Sequence, residues 1–294
     1  MGMFYDLRFH LETAVSICYD VIVLQKYLMF YLLYDKGGVV MEIIAVCNRR
    51  GGCGKSTTCS AMFSYLDCIA KKRTLLIDMD AQCNSSYSLG ANLDADGIYD
   101  VLMGKTSADS AMQTVPPDLF HGFVLSASPN LSDIDNGFES VKINLRSELE
   151  TLEDSIDYVI IDTAPSLGTL TVLALSVADK VIIPVMADVF GLSGIGNIYE
   201  LITAVKEDNH NHNLSIEGIL LTRYKERLLV NRKLREMITE TAEQIGTKLF
   251  TTKIRDGVAI AESAMMQQGL FDYDKKRLSN VAQDYEAFMK ELGF

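Results

Sequence analysis

The chain has 294 residues, of which 48% are hydrophobic and 22% charged, and its formal net charge is −12. This length allows one large α/β domain or two small ones, and only five prolines argue against long linkers. The negative charge excludes nucleic-acid binding through overall charge, so such binding would need a local basic patch. Six cysteines occur without a Cys-x-x-Cys pair, and we expect reduced thiols in core positions of a cytoplasmic protein.

Residues 1–40 differ in composition from the rest of the chain. The apolar run Val21–Leu33 is interrupted by two polar residues and is shorter than the ~20 residues of a membrane span. It also lacks the flanks of a signal peptide. One interpretation is an amphipathic helix that lies on the domain. We favour a native start at Met41, because Lys36-Gly37-Gly38 can be encoded by a purine-rich ribosome-binding sequence just upstream. Sequencing the native N-terminus would check this.

From Met41 onward, apolar strands alternate with helices, which predicts a mainly parallel sheet covered by helices on both faces. The predicted strands are Glu42–Asn48, Thr74–Ile77, Val124–Ala127, Tyr158–Ile161, Lys180–Val185, Ile216–Leu221 and Lys248–Ile254. The predicted helices are Thr58–Ala70, a short one within Ser85–Lys105, Ile143–Asp154, Leu167–Val177, Gly194–Glu207, Val230–Ile245 and Val281–Leu292. No domain boundary is visible after Met41, so we expect a single domain over residues 41–294.

A glycine-rich stretch, Arg50-Gly51-Gly52-Cys53-Gly54-Lys55-Ser56-Thr57, lies between the first predicted strand and helix. A strand, a glycine loop, Gly-Lys-Ser and a helix in this order are typical of a phosphate-binding P-loop. The glycines permit a tight turn with inward N–H groups, Lys55 can reach the β- and γ-phosphates, and Ser56 can ligate Mg²⁺. A chance Gly-Lys-Ser turn is the alternative. The flanking strand and helix favour a nucleoside triphosphate site.

Two later strands end in carboxylates. Asp78 and Asp80 follow the strand Thr74–Ile77, and Asp162 follows Tyr158–Ile161. Open α/β sheets bind ligands at the carboxyl ends of their strands. Taken alone, the first two would more often be solvated turn residues. Beside a P-loop, the pattern favours a magnesium site of the Walker B type at Asp162.

These motifs together resemble the ParA/MinD group of dimerising ATPases, and in particular its small Soj type. The glycine loop is similar to the deviant Walker A pattern Lys-Gly-Gly-x-Gly-Lys-Thr/Ser, with Arg50 in place of the first Lys. The segment 78–84 resembles DxDPQxN, with Ala81 in place of Pro, and the segment 162–171 resembles DxAPSxxxLT. The resemblance covers about residues 42–292. It implies the fold of the deviant Walker A P-loop NTPases, a mainly parallel sheet with helices on both faces.

The resemblance also implies Mg²⁺-dependent ATP hydrolysis by a homodimer that forms on ATP. The implied catalytic residues are Lys55, Arg50, which would reach the partner's phosphates, and Asp80, which would orient the attacking water. The expected nucleotide-binding residues are Arg50, Gly51, Gly52, Cys53, Gly54, Lys55, Ser56, Thr57, Thr222 and Arg223. The expected metal-site residues are Ser56, Asp162 and, in the outer sphere, Asp78. Asp188 is a candidate dimer-interface residue, although a plain surface aspartate is equally consistent with the sequence.

A basic run follows the strand Ile216–Leu221. Within 13 positions of an acidic chain, it contains six basic residues, Arg223, Lys225, Arg227, Arg232, Lys233 and Arg235. A solvated helix face is the ordinary interpretation. We favour a DNA-binding surface that contacts phosphates without sequence preference, as the resemblance implies for the ATP dimer. Lys275–Arg277 are a candidate extension of it.

We therefore expect a partition ATPase for plasmid or chromosome DNA, with a ParB-like centromere-binding partner and a nucleoid-associated location in the cytoplasm. A MinD-like membrane-positioning ATPase is the alternative, and it would end in a basic amphipathic helix. The polar face of the last predicted helix carries Asp284, Glu286 and Glu291, which anionic lipid would repel. We expect this helix to pack in the core, without stable membrane association. A metal-cluster carrier would need the missing Cys-x-x-Cys pair.

Overall fold

In the computed structural model, residues 41–115, 122–208, 211–226 and 229–294 are described. Within these ranges, eight strands form one sheet in the order β3-β4-β2-β5-β1-β6-β7-β8. The strands are β1 (Glu42–Val46), β2 (Thr74–Met79), β3 (Gln113–Thr114), β4 (Gly122–Leu125), β5 (Tyr158–Thr163), β6 (Lys180–Met186), β7 (Ser215–Thr222) and β8 (Leu249–Lys253). The pairs are parallel except β3 with β4. The predictions for residues 1–40, including Cys18, and for Arg227 lie outside these ranges.

Helices cover both faces of the sheet, which confirms the predicted fold class. They are α1 (Lys55–Cys68), α2 (Asn84–Ser88), α3 (Ile98–Leu102), α4 (Ala108–Ala111), α5 (Leu131–Asp135), α6 (Leu145–Glu150), α7 (Thr169–Val177), α8 (Val189–Glu207), α9 (Leu229–Gln244), α10 (Val258–Met265), α11 (Leu270–Tyr273) and α12 (Asn280–Glu291). Side chains of β1 alternate between two cores, because Ile43 and Ala45 pack with α7 and α8, whereas Ile44 and Val46 pack with α1 and α12. β1 therefore lies inside the domain, and the loop after it starts at the centre of the sheet.

The helix after β6 begins at Val189, earlier than the predicted start at Gly194. The glycines in this first part of the helix allow close packing. A Cβ on Gly191 would lie 2.3 Å from the Met186 carbonyl oxygen, and one on Gly194 would lie 3.0 Å from Asn48 Oδ1. Close approach to the ends of β1 and β6 therefore outweighs the low helix propensity of glycine.

Several other elements were predicted incompletely or not at all. The predicted helix Ile143–Asp154 is shorter in the structure, where it spans only α6. Its start is set by the Asn144 side chain, which caps the helix. At its C-terminal end, acidic residues accumulate, and the helix dipole disfavours negative charge there. The edge strand β3 was not predicted, because its two residues are too few to show the alternation of apolar and polar side chains that indicates a strand. Helix α10 was missed because its exposed Val258 and Met265 disturb the amphipathic pattern.

The C-terminal helix α12 packs in the core, as predicted. Val281, Tyr285, Phe288 and Met289 are each at most 1% exposed. Phe288 meets the Phe250 ring edge to face, with ring centres 4.9 Å apart. This face is therefore not available to a bilayer. In the part of the chain that the structure describes, no helix is long and apolar enough to cross a membrane.

The described cysteines are free thiols in the core, which confirms the prediction for them. Cys47, Cys53, Cys59 and Cys83 are buried, and Cys68 is half-buried. Burial raises the pKa of the Cys47 thiol to about 12. At neutral pH this thiol is protonated and packs as a small apolar side chain.

A buried carboxyl near the end of α1 gives the fold a pH-dependent stability. Asp67 is 1% exposed, and its Oδ1 has no hydrogen-bond partner among the described residues. Burial raises the pKa of this carboxyl from 3.8 to about 6, although the Lys71 charge opposes the shift. The folded state therefore holds the proton more tightly than the unfolded state, and stability falls as pH rises through this interval.

We expect the Asp67→Asn variant to lose this pH dependence. Between pH 4 and pH 8, the free energy of unfolding of the wild type should fall by roughly 2 kcal/mol relative to the variant. Urea denaturation of both proteins across this range measures the difference. The substitution also changes the stability by an amount that does not depend on pH, and this amount cancels when the two pH profiles are compared. Parallel pH profiles for the two proteins would contradict the assignment.

Candidate active site

The glycine loop joins the end of β1 to the start of α1. Gly52 and Gly54 have φ angles of 73° and 91°, a left-handed conformation that favours glycine. No described atom would lie within 4 Å of a Cβ on Gly51 or Gly52, so the space beside the loop is open. Helix α1 begins directly at Lys55. The loop therefore presents the positive end of a buried helix to an open space, as a phosphate-binding loop requires.

Thr222, at the end of β7, connects the glycine loop to the sheet. Its Oγ1 donates to the Cys53 carbonyl at 2.7 Å and lies 3.2 Å from the Val185 carbonyl oxygen. A Cβ on Gly54 would meet the Thr222 methyl group at 3.4 Å. Thr222 thus positions the loop through the ends of β6 and β7.

Two basic side chains of the loop are already engaged by the protein. Lys55 is 6% exposed, and its Nζ donates to the Arg50 carbonyl at 3.0 Å. The Cys53 thiol lies 3.2 Å from the same carbonyl oxygen. The Arg50 guanidinium pairs with Asp188 in the turn between β6 and α8.

Asp78 and Asp162 lie side by side at the carboxyl ends of β2 and β5, where they are register partners. Asp78 Oδ2 accepts hydrogen bonds from Ser86 N at 2.8 Å and Ser86 Oγ at 2.7 Å, and its Oδ1 accepts from Asp80 N at 3.1 Å. Asp162 Oδ2 accepts from Ser85 Oγ at 2.6 Å. Neither serine was predicted from the sequence. Their position just after the predicted DxDPQxN-like segment was the available signal.

The two carboxyl groups are fully buried and close enough to affect one another. Burial raises the pKa of Asp78, and the Asp162 charge raises it further. Burial also raises the pKa of Asp162, while the Ser85 and Ser56 hydroxyls and the Lys55 charge oppose that shift. The surroundings of this pair therefore disfavour two negative charges, and a bound cation would stabilise the charged forms.

The donor set fits a magnesium ion. Asp162 Oδ1 is buried without a hydrogen-bond partner among the described residues. Carboxylate and hydroxyl oxygens are ligands that Mg²⁺ accepts, and Ser56 supplies a hydroxyl on the same side. Both oxygens of Asp78, in contrast, already accept hydrogen bonds from protein groups. Asp162 and Ser56 could therefore contact the ion, and Asp78 fits an outer position.

A cavity of about 550 Å³ opens beside the loop, which is within the size range of small-molecule sites. Asp80 lines it, is 8% exposed, and accepts a hydrogen bond from Gln82 N at 3.0 Å. Arg223 also lines it and pairs with Asp256 at 2.9 Å. The wall opposite the loop comes from Ile254, Arg255, Asp256, Gly257, Ile260, Ala261, Ala264, Val281 and Tyr285. Most of this C-terminal wall carries no motif that the sequence could show.

The structure divides the predicted DNA-binding residues between two places. Arg223 belongs to the cavity, whereas Arg232 and Lys233 are exposed on the first turns of α9. Arg235 is half-buried on the same helix, and Lys225 is exposed in the preceding loop. The opposite, buried side of α9 carries Asn231, Leu234, Ile238 and Ala242. The exposed basic group is therefore smaller than the sequence indicated.

Comparisons with known proteins agree with this geometry. The family described as an AAA domain matches residues 41–216. The chromosome partitioning protein ParA of Myxococcus xanthus is 31% identical over 270 residues, covering 89% of this chain and 92% of that protein. The sporulation initiation inhibitor protein Soj of Bacillus subtilis is 30% identical over 262 residues, covering 85% and 98%.

Solved structures show the same fold. A variant of McdA from Cyanothece in complex with ATP superposes with a TM-score of 0.75 at 19% identity and covers 87% of this chain and 98% of its own. A putative plasmid partition protein of Borrelia burgdorferi bound to AMPPNP has a TM-score of 0.68 at 26% identity and covers 85% and 98%. The matched sequence and the arrangement around the loop lead to one conclusion. The chain belongs to the family of ParA and Soj partition ATPases.

Proposed function

We propose that this protein hydrolyses ATP to partition DNA, forms a homodimer on ATP and binds DNA without sequence preference. The observation that carries the proposal is the cavity that Lys55, Ser56 and Asp80 line, next to the buried carboxyl of Asp162. These residues lie at or just after the ends of the neighbouring strands β2, β5 and β1. Residues 41–294 would form its ATPase domain, with residues 1–40 as an extension. The names of its relatives support a role with chromosome or plasmid DNA. The proposal includes a ParB-like partner and a location on the nucleoid.

In this proposal, the loop binds the triphosphate of ATP. The amides of Gly51 to Thr57 would surround the phosphates, and Lys55 would exchange the Arg50 carbonyl for phosphate oxygens. Bound Mg²⁺ would neutralise phosphate charge and polarise the phosphoryl group. Asp162 and Ser56 would hold it, and Asp80 would orient the attacking water. Arg50 would act on the phosphates of the partner subunit.

The DNA contact would come from the exposed cations Arg232 and Lys233, with Lys225 nearby. A chain of net charge −12 repels DNA, and one subunit offers few phosphate contacts. Dimerisation doubles the number of phosphate contacts to about 4–8. Each contact adds about −0.9 to the slope of log affinity against log salt concentration. Binding should therefore need ATP and should weaken roughly 10²–10⁴-fold between 50 and 200 mM salt.

We expect the double variant Arg232→Glu/Lys233→Glu to lose DNA co-sedimentation while it still dimerises with ATP. Lys142→Glu/Arg146→Glu makes the same charge change at two exposed positions, one just before α6 and one in its first turn, and should bind DNA as the wild type does. Each protein should be tested with ATP, with ADP and without nucleotide. Undiminished binding by the α9 variant would place the surface elsewhere, with Lys275–Arg277 tested next. Equal binding in all nucleotide states would contradict the proposed switch.

A further inference from the structure

The turn between β6 and α8 holds the charge of Arg50 within its own chain. Arg50 Nη1 donates to both carboxylate oxygens of Asp188. The guanidinium carbon also lies 5.6 Å from the centre of the Phe190 ring, a cation–π distance. The side chains of Arg50 and Asp188 are 30% and 32% exposed, so water screens this pair less than a fully exposed one.

Asp188 is itself held in place by the start of α8. Its Oδ1 accepts a hydrogen bond from Gly191 N at 2.9 Å, and its backbone N donates to the Met186 carbonyl at 2.8 Å. Burial favours the neutral carboxyl, but the hydrogen bonds from Arg50 and Gly191 outweigh it, and the pKa of Asp188 is lowered. The turn therefore presents a fixed carboxylate at neutral pH.

The backbone of Arg50 is anchored separately from its side chain. Arg50 N donates to Asn48 Oδ1 at 3.0 Å, and its carbonyl accepts from Lys55 Nζ at 3.0 Å. Because none of these contacts involves the guanidinium, the side chain can leave Asp188 by rotation about its own torsions. Release of the charge does not require the glycine loop to move.

We propose that Asp188 is a positioning residue that restrains Arg50 in the monomer and thereby limits ATP-driven dimerisation. The proposal rests on the proposed function, in which Arg50 acts on the phosphates of the partner subunit. The Nη1 group that donates to both Asp188 oxygens cannot at the same time pair fully with phosphates, so Asp188 competes with them. The carboxylate has one negative charge and a triphosphate has several, so the phosphates prevail only when nucleotide is bound.

The Asp188→Asn variant separates the charge of Asp188 from its structural role. Asparagine is as good an N-cap as aspartate, so the hydrogen bond to Gly191 N and the start of α8 should persist. Loss of the ion pair should make the dimer about threefold to tenfold tighter. Sedimentation velocity with Mg²⁺ and a non-hydrolysable ATP analogue measures this constant. Glu200→Gln removes the same charge from an exposed position on α8 and should leave the constant unchanged.

A second measurement tests the restraint in the monomer, without nucleotide. The carboxyl pKa of Asp188, followed by NMR, should lie below its usual range in the wild type and should rise in Arg50→Ala. A merely structural carboxylate would keep its pKa in that variant. The restraint is overturned if the pKa does not move, or if Asp188→Asn leaves dimerisation unchanged or weakens it while the wild type dimerises. A wild type that stays monomeric with the analogue would overturn the proposed function, and the restraint with it.

Discussion

The Lys55→Ala variant should lose nucleotide binding almost entirely. The Lys55 ammonium is buried at the start of α1 and lies at the cavity that the glycine loop borders. Truncating one partner of a buried charge pair costs about 2–5 kcal/mol, so ATP affinity should fall by a factor of about 30 to 4,000. Calorimetric titration with ATP and Mg²⁺ measures the loss.

A matched control for this variant lies just outside the loop. Arg49 is exposed, and Arg49→Ala removes one positive charge close to Lys55. Its ATP affinity should stay within about twofold of the wild type, because an exposed charge is largely screened. Thermal unfolding of both variants should show folded proteins. If Lys55→Ala binds ATP as tightly as Arg49→Ala does, the glycine loop is not the phosphate site.

The Asp80→Ala variant should bind ATP but fail to hydrolyse it. Asp80 lines the cavity and has no hydrogen bond to Lys55 or Ser56 in the described part of the chain, so its loss should spare the phosphate site. Loss of a group that positions the attacking water typically costs 10²–10⁴-fold in rate. Phosphate release should fall by about that factor, and gel filtration with ATP should show a persistent dimer.

The Asp80→Asn variant removes the negative charge of Asp80 but can keep the hydrogen bond that shapes the local turn. Its amide oxygen can still accept the hydrogen bond from Gln82 N, so the chain after β2 should keep its path. We expect both Asp80 variants to be slow, because the carboxylate charge is lost in both. An Asp80→Ala protein that binds ATP yet stays monomeric would argue against the assignment, and so would hydrolysis within tenfold of the wild-type rate.

The sequence predicted the parts of the site that follow regular local rules. The glycine loop, Asp78, Asp80 and Asp162 each lie at the end of an apolar strand, and parallel pairing necessarily brings such ends to one edge. The fold class followed from the same alternation of strands and helices. These features depend on short-range pattern, which is visible in one sequence.

Other features depend on contacts that are remote in sequence. The pairing of Arg50 with Asp188 joins residues 138 positions apart, and the Thr222 hydrogen bond to Cys53 joins residues 169 apart. The C-terminal wall of the cavity reaches the loop only through the packing of α12 on α1. Helix α8 started earlier than predicted because its glycines serve a tertiary contact. The periodicity of one sequence does not indicate such contacts, and only the folded structure shows them.

The buried pair Asp78 and Asp162 has a consequence for evolution and engineering. Two carboxyl groups in register, both shielded from water and one with an oxygen unpartnered among the described residues, lower the stability of the fold. Selection of variants for heat resistance alone would therefore favour neutral residues at Asp162. Those variants would lose the carboxylate that we propose holds Mg²⁺. Directed evolution of this protein would have to select for nucleotide turnover and thermal resistance together.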